Sequence, residues 1–467
     1  MNQNFMRSRV RPIAVAVVVL FVTLFFYSDF YSTHRTSTDD VTFLPLADGS
    51  SMRVIDAAID DLYNNPLPEN VSDFAQKGDR IAKLADIVTL LRDHGIATPN
   101  RFNALVRKEF PWWTAANPET AFIQGKKEIG IVVCVGSKNI HVAGHLILSL
   151  RKVLGYKLPI QIAYAGDNDL SKKDQATLMN LSSKIELLNL LEYFDESVAG
   201  LQDGMYAMKP FAAIASRFRM TILVDADVIF LKNPGTIFEE HSSAATSGTL
   251  FYHDKAYKME GMSRKAWVQS LLGDKPPSSS LQNSLFWKED LWQEMESGVV
   301  AFDKGHPRVV MSLLFTAWMN TKIIREKETY VHVLGDRETY WLAAELSNTP
   351  YYFQPEYAGL IGILETTSTS KICSTHILHM DHTGVTPFWF NGGLLLNKAL
   401  EGEELGTFTH FIPGGATMSD QPTWTYNGNE YWCAEGKPAI ALTERKMDGV
   451  LSQILQEARN FEGALPT

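Results

Sequence analysis

The chain has 467 residues, of which 45% are apolar, 11% aromatic and 21% charged, a composition that excludes a mainly disordered chain. Its 53 acidic and 43 basic residues leave a net charge of −10, the wrong sign for sequence-independent binding to nucleic acid. With three cysteines it is no disulfide-stapled miniature, so its own core must hold it together.

Residues Pro12 to Ser28 carry no charge, with Arg7, Arg9 and Arg11 before them and Asp29, Asp39 and Asp40 after them. Ile13 to Tyr31 as a helix would span about 28 Å, enough for a thin secretory-pathway bilayer. Tyr27 and Tyr31 would sit at the far interface. No small-x-small cleavage site follows, so the segment reads as an uncleaved anchor rather than a signal peptide. The charge asymmetry predicts a cytoplasmic tail, residues 1–12, and a luminal remainder. Two sequons, Asn70-Val71-Ser72 and Asn180-Leu181-Ser182, would be open to glycosylation there. In an oxidising lumen Cys373 and Cys433 are the expected disulfide, and Cys134, inside an apolar run, is the expected buried free thiol.

Residues 32–125 read as a helical stem, with apolar spacings of three and four over Met52–Tyr63 and Val71–His94. Pro66, Pro68, Pro99, Pro111 and Pro118 punctuate it. Trp112 and Trp113 are expected to dock it on the body, since aromatic pairs bury large areas.

From Ile129 the pattern changes. Ile129 to Val135 is a continuous apolar run, broken by Gly136-Ser137 and followed by helical spacing from Ala143 to Val153. Ile160–Ala165 and Ile185–Leu188 are further strand candidates, with a helix from Ser171 to Leu181 between them. A helix from Met208 to Phe218 then leads into Thr221–Val224. The alternation predicts an α/β sandwich with a mainly parallel sheet over residues 126–400, with ligands gathered at the carboxyl ends of its strands. Residues 401–467 read as an extension packed on that domain.

Asp225-Ala226-Asp227 follows Thr221–Val224 directly and leads into Val228–Leu231. On an extended chain, side chains two apart point the same way, about 6.6 Å apart, so both carboxylates face one divalent cation. Paired hard oxygens suit Mg²⁺ or Mn²⁺. Buried without a partner they would be costly, so something positive is expected beside them. Asp167-Asn168-Asp169 shares the spacing but runs into a turn and a helix start, and reads as structural. The same strand-Asp-x-Asp-Val pattern occurs in haloacid-dehalogenase-like phosphatases. Those place that strand first and need a Gly-Asp-x-x-x-Asp site, where this chain has Gly335-Asp336 followed by Tyr340.

Several ordered segments carry a more specific signal. They are Tyr206-Ala207-Met208-Lys209-Pro210-Phe211, Ser216-Arg217-Phe218-Arg219, Ile222 to Asp227, Gly248 to Asp254, Glu296-Ser297-Gly298-Val299-Val300, Gly335 to Trp341 and Trp389-Phe390-Asn391-Gly392-Gly393. In this order they resemble the fungal Mnn1-type α-1,3-mannosyltransferases, glycosyltransferase family 71. The resemblance implies a GT-A-type, Rossmann-like nucleotide-sugar fold, type II topology in the Golgi membrane, GDP-mannose as donor, Mn²⁺ (or Mg²⁺) as metal and a secretory glycan as acceptor. It also allows assembly with other Golgi transferases.

Under that resemblance Asp225 and Asp227 hold the metal with His379, from Ile377-Leu378-His379, as third ligand. Lys209, Arg217, Gly136, Ser137, Asn391 and Gly392 bind the donor. Glu296 contacts acceptor hydroxyls, and Asp336 approaches the transferred sugar of a retaining enzyme. Trp267, Trp287, Trp292, Trp318 and Trp341 offer sugar-stacking faces, most of them expected in the core. The rival readings are a GT-A transferase using a UDP-sugar and a membrane-anchored glycan-binding protein without catalysis.

Overall fold

The computed structural model describes residues 50–67, 73–114, 128–261, 263–397, 400 and 404–464. The expected anchor, the tail before it and the sequon at Asn70 lie outside the described residues. Among those described, no helix is long and apolar enough to cross a membrane. The chain divides into Met1–Val54 and Ile55–Thr467. Of the first unit only the opening turn of helix α1 (Ser50–Asn64) is described, and every other described element belongs to the second.

Helix α2 (Phe74–Asp93) starts where the Asp73 side chain accepts from the Gln76 amide at 3.0 Å, satisfying one of its free donors. Helix α3 (Asn100–Glu109) was not legible in sequence, because its polar residues outnumber the four that it buries. One of those four is Glu109, which takes Lys77 at 3.0 Å and Arg80 at 2.6 Å from α2. Trp112 is fully buried against Phe194 (5.8 Å) and Phe211 (5.1 Å), as the docking expectation required. Phe74 packs edge-on against Trp318 at 5.4 Å, and Asp86 pairs with Arg308, so α2 lies on the body rather than apart from it.

The body opens with strand β1 (Ile129–Cys134), helix α4 (Ile140–Leu148) and strand β2 (Ile160–Tyr164). Helix α5 (Lys172–Met179), strand β3 (Ile185–Asn189), helix α6 (Met208–Ala215) and strand β4 (Met220–Val224) follow. Next come the two-residue β5 (Ile229–Phe230), β6 (Thr249–His253) and β7 (Met295–Asp303). The first sheet has the order β3-β2-β1-β4-β7-β6. Its first four strands are parallel, while β7 runs antiparallel to both β4 and β6. The expected α/β sandwich is therefore present with a mixed sheet. Helices α7 (Pro307–Met319) and α8 (Thr339–Leu346) follow β7.

A second sheet is antiparallel throughout. It contains β5 together with β8 (Gly359–Gly362), β10 (His376–Met380), β11 (Pro387–Asn391), β12 (His410–Ile412) and β15 (Ile440–Ala441). A third, small sheet joins β9 (Lys371–Ser374), β13 (Thr423–Tyr426) and β14 (Trp432–Glu435), with the expected Cys373–Cys433 disulfide across β9 and β14. Residues beyond 404 thus complete two sheets, and helix α9 (Asp448–Ala464) closes over α4, where Phe461 occupies the space a side chain at Gly144 would need.

Removing Glu109 strands two buried cations. Glu109→Ala is expected to cost about 3–5 kcal/mol, read as a lower denaturant midpoint.

Candidate functional site

The carboxyl ends of β1 and β4 and the amino end of the antiparallel β7 share one edge of the first sheet, because Val224 pairs with Val299. A cavity of about 1290 Å³ opens there. That exceeds the roughly 300–1,000 Å³ usual for a single small ligand. Gly136 and Ser137 line it at the end of β1. A Cβ on Gly136 would stand 2.5 Å from Asp169 Oδ1, so a side chain there would have to displace that carboxylate. Asp169 is the structural turn acid expected, accepting from the Ala165 amide at 2.8 Å.

Asp225 and Asp227 reach the cavity in a way their spacing did not foretell. Segment 225–228 is a turn, with the Val228 amide donating to the Asp225 carbonyl at 3.1 Å. The chain changes sheets at this turn. The Asp225 amide donates to Gly298 O in the first sheet (2.8 Å), and the Asp227 carbonyl accepts from Gly393 N beside the second (2.7 Å). A strand leaving one sheet for another cannot stay extended, so the turn replaces the expected continuous strand. Both carboxylates nevertheless line the cavity.

The expected positive partner is Lys209 of α6. Its ammonium, 3% exposed, contacts Asp225 (2.8 Å), Asp336 (3.1 Å) and the Ser297 hydroxyl (2.9 Å). Burial favours the neutral amine, but the two carboxylates outweigh it and hold Lys209 above the ordinary lysine range. Burial, together with Asp227 and Asp336, pushes Asp225 up to about 6 in spite of Lys209.

Residues 336–338 tie three parts of the site together. Asp336 takes Lys209 and the Tyr340 hydroxyl (2.8 Å). Arg337 bridges Glu296 (3.4 Å) and Asp254 (3.1 Å), and Lys255 also pairs with Asp254 (2.7 Å). Glu338 accepts from the amides of Glu294 and Met295, fixing the start of β7, and burial pushes its pKa up to about 7. Glu296 lines the cavity with Oε1 held by the Gly298 amide (2.9 Å) and Asn391 Nδ2 (3.1 Å). Gly298 must be glycine, since a Cβ would meet the Trp389 ring at 2.9 Å.

Of the expected residues, Asp225, Asp227, Glu296, Lys209, Gly136, Ser137, Asn391 and Gly392 all line the cavity. Three do not. Arg217 precedes β4, whereas the acid pair follows it, and there it is tied to Glu128 and to Glu186 (2.5 Å). Asp336, 1% exposed, lies beneath Lys209 rather than on the cavity surface. His379 is 1% exposed in the core, stacked on Trp389 at 4.0 Å and edge-on to Tyr252 at 5.3 Å. The reason is register: His379 pairs directly with Trp389 in the middle of β10, whereas Asn391, Gly392 and Gly393 carry the chain to Asp227. Burial pulls His379 down to about 3.

Sequence reasoning missed Arg337, whose signal was its place inside a matched segment, Lys255, which directly follows one, and Tyr426 and Trp432, which had none. Of the five tryptophans considered, Trp292 lines the cavity, while Trp341 is core.

The donor set fits a divalent cation. The carboxylates Asp225, Asp227, Glu296, Asp254 and Asp336 outnumber the cations built into the same cluster, Lys209, Lys255 and Arg337. Such an excess around hard oxygens, beside open space for ligand oxygens, suits Mg²⁺ or Mn²⁺. No cage of three or more His, Cys, Asp or Glu is preformed among the described residues.

A family model described as "Mannosyltransferase putative" matches residues 128–381. The α-1,3-mannosyltransferase MNN1 of Saccharomyces cerevisiae is 25% identical over 338 residues, covering 60% of this chain and 42% of its own length. The α-1,3-mannosyltransferase MNT2 of the same yeast is 25% identical over 304 residues, covering 58% of this chain and 52% of its own. The chain thus aligns with about half the length of these relatives. Among solved structures, core-mannan synthase A from Aspergillus fumigatus in its Mn/GDP form aligns at 8% identity, with a TM-score of 0.33, over 52% of this chain and 78% of that one. A superposition that partial bears on nothing in the site.

Lys209→Met should cost about 3 kcal/mol or more in thermal unfolding, since two carboxylates lose their buried cation. His379 is held neutral, with a folded pKa of about 3 against 6.5 ordinarily, so its contribution is complete above pH 6.5 and fades as pH falls toward 3. His379→Phe keeps a ring on Trp389 and should lose less melting temperature than the wild type between pH 6.5 and 4.

Proposed function

The chain belongs to the mannosyltransferase family whose model spans Glu128 to Asp381, and from that premise we propose a metal-dependent, retaining α-1,3-mannosyltransferase that uses GDP-mannose. The acceptor is a mannose-containing glycan of the secretory pathway. One observation carries the reading. Two carboxylates, Asp225 and Asp227, meet at a sheet junction on the wall of a cavity large enough for a nucleotide sugar and a second sugar together. The names of the yeast relatives supply the sugar and the linkage.

In this reading the fold is of the GT-A type, and Gly136 and Ser137 at the end of β1 receive the nucleotide. A divalent ion held by Asp225 and Asp227 would supply positive charge to the departing diphosphate. Lys209 sets the position of Asp225, and Asp336 sets Lys209, so Asp336 acts by positioning rather than by touching sugar. Arg337, held at high pKa by Glu296 and Asp254 against the cost of burial, remains a fixed cation in the cavity wall. Glu296 has Oε1 held by the Gly298 amide and Asn391, and its Oε2, which pairs with Arg337, has a remaining lone pair to accept from a sugar hydroxyl. Anchoring by residues 13–31 in the Golgi membrane, and assembly with other Golgi transferases, belong to the same proposal.

The test is donor turnover by the full chain with Mn²⁺. GDP release from GDP-mannose should exceed UDP release from UDP-sugars, and Asp227→Asn should lower mannosyl transfer about 10²–10³-fold with melting behaviour nearly unchanged. Turnover of UDP-sugars alone would overturn the donor. A collapse of the fold in Asp227→Asn would make the carboxylate structural.

A further inference from the structure

One stretch of the cavity wall is aromatic, and half of its rings come from a part of the chain that the family match does not reach. Trp432 and Tyr426 of the β13–β14 hairpin line the cavity beside Tyr257 and Trp292. The Trp432 ring stands 4.9 Å from Tyr257 and 4.8 Å from Tyr426, and the Lys255 ammonium lies 4.8 Å above it. Through Asp254 and Arg337 the same lysine joins this cluster to Glu296. Cys433, next to Trp432, is bonded to Cys373, which holds the hairpin to β9.

A second observation is independent of the rings. Gln293, 2% exposed, lines the cavity, and its Nε2 has no hydrogen-bond partner among the described residues. The indole nitrogen of Trp292 is likewise unpartnered there. A buried donor left unpaired is destabilising, and a small rotation of the Gln293 amide toward the cavity gives its Nε2 the acceptor it lacks. Aromatic faces take an apolar C–H face, and buried donors take the oxygens around it. A neutral pyranose presents that pair of features.

We propose that the β13–β14 hairpin, with Trp292 and Gln293, forms the subsite for the terminal neutral pyranose of the acceptor. Gln293 Nε2 donates to one of its hydroxyls, and the cluster of Trp432, Tyr426 and Tyr257 packs on its C–H face. The subsite deepens the function proposed above and rests on it for the identity of the sugar. It also gives the C-terminal segment a role in acceptor choice, separate from the donor end of the cavity at Gly136 and Ser137.

The probe is methyl α-mannobioside, titrated into the full chain without donor and followed by tryptophan fluorescence, alongside steady-state kinetics. Saturable quenching is expected. Gln293→Leu and the exposed Tyr426→Ala should each weaken it about tenfold and raise the KM for mannobioside equally, while the KM for GDP-mannose stays within about twofold. Absence of binding by the wild type, equal binding by both variants, or a parallel rise in donor KM would each overturn the subsite. The titration needs no donor, so turnover of UDP-sugars alone would overturn the proposed donor and leave this measurement standing.

Discussion

A single buried ammonium organises the functional edge of this protein. Lys209 lies between Asp225 and Asp336 and reaches Ser297, so one point charge joins helix α6, the end of β4, the segment before α8 and strand β7. A lone lysine at that depth would shed its proton, and the two carboxylates would gain theirs. Together they keep their charges because each reduces the cost of burying the other.

Around it the structure solves a second problem, which is to bring two sheets to one edge. The chain turns between Asp225 and Val228 and passes from the first sheet to the second. Gly298 lets β7 approach Trp389, and Asn391 then reaches Glu296 across the gap. The run Asp336-Arg337-Glu338 is the clasp, with successive side chains on Lys209, on Glu296 and Asp254, and on the amides that start β7. Successive side chains of that segment serve different elements, so the acidic residues around the cavity are spread over several parts of the fold.

Much of the first sheet could be read from the sequence. Ile129–Val135, Ile160–Ala165 and Thr221–Val224 are short, apolar and bounded by breakers, the mark of strands buried on both faces. Helix α3 escaped notice because its apolar stripe is only Phe102, Leu105 and Val106, and its fourth buried residue, Glu109, is charged and satisfied by two cations from far away in sequence. The small third sheet was equally hidden, although its disulfide was foreseen from the count of cysteines.

The sequence by itself placed an acid pair at the end of an apolar strand, where burial calls for a positive charge beside it or for protonation. Only the tertiary structure decided that the cation is Lys209, that the pair sits on a turn between sheets, and that Arg217 and His379 lie elsewhere. The reason is that direction is not encoded locally. A residue before a strand and one after it are neighbours in sequence but stand at opposite ends of the sheet, which is why Arg217 and Asp225 part company. A histidine in a strand faces the core or the cavity according to its partner across the ladder, and for His379 that partner is Trp389.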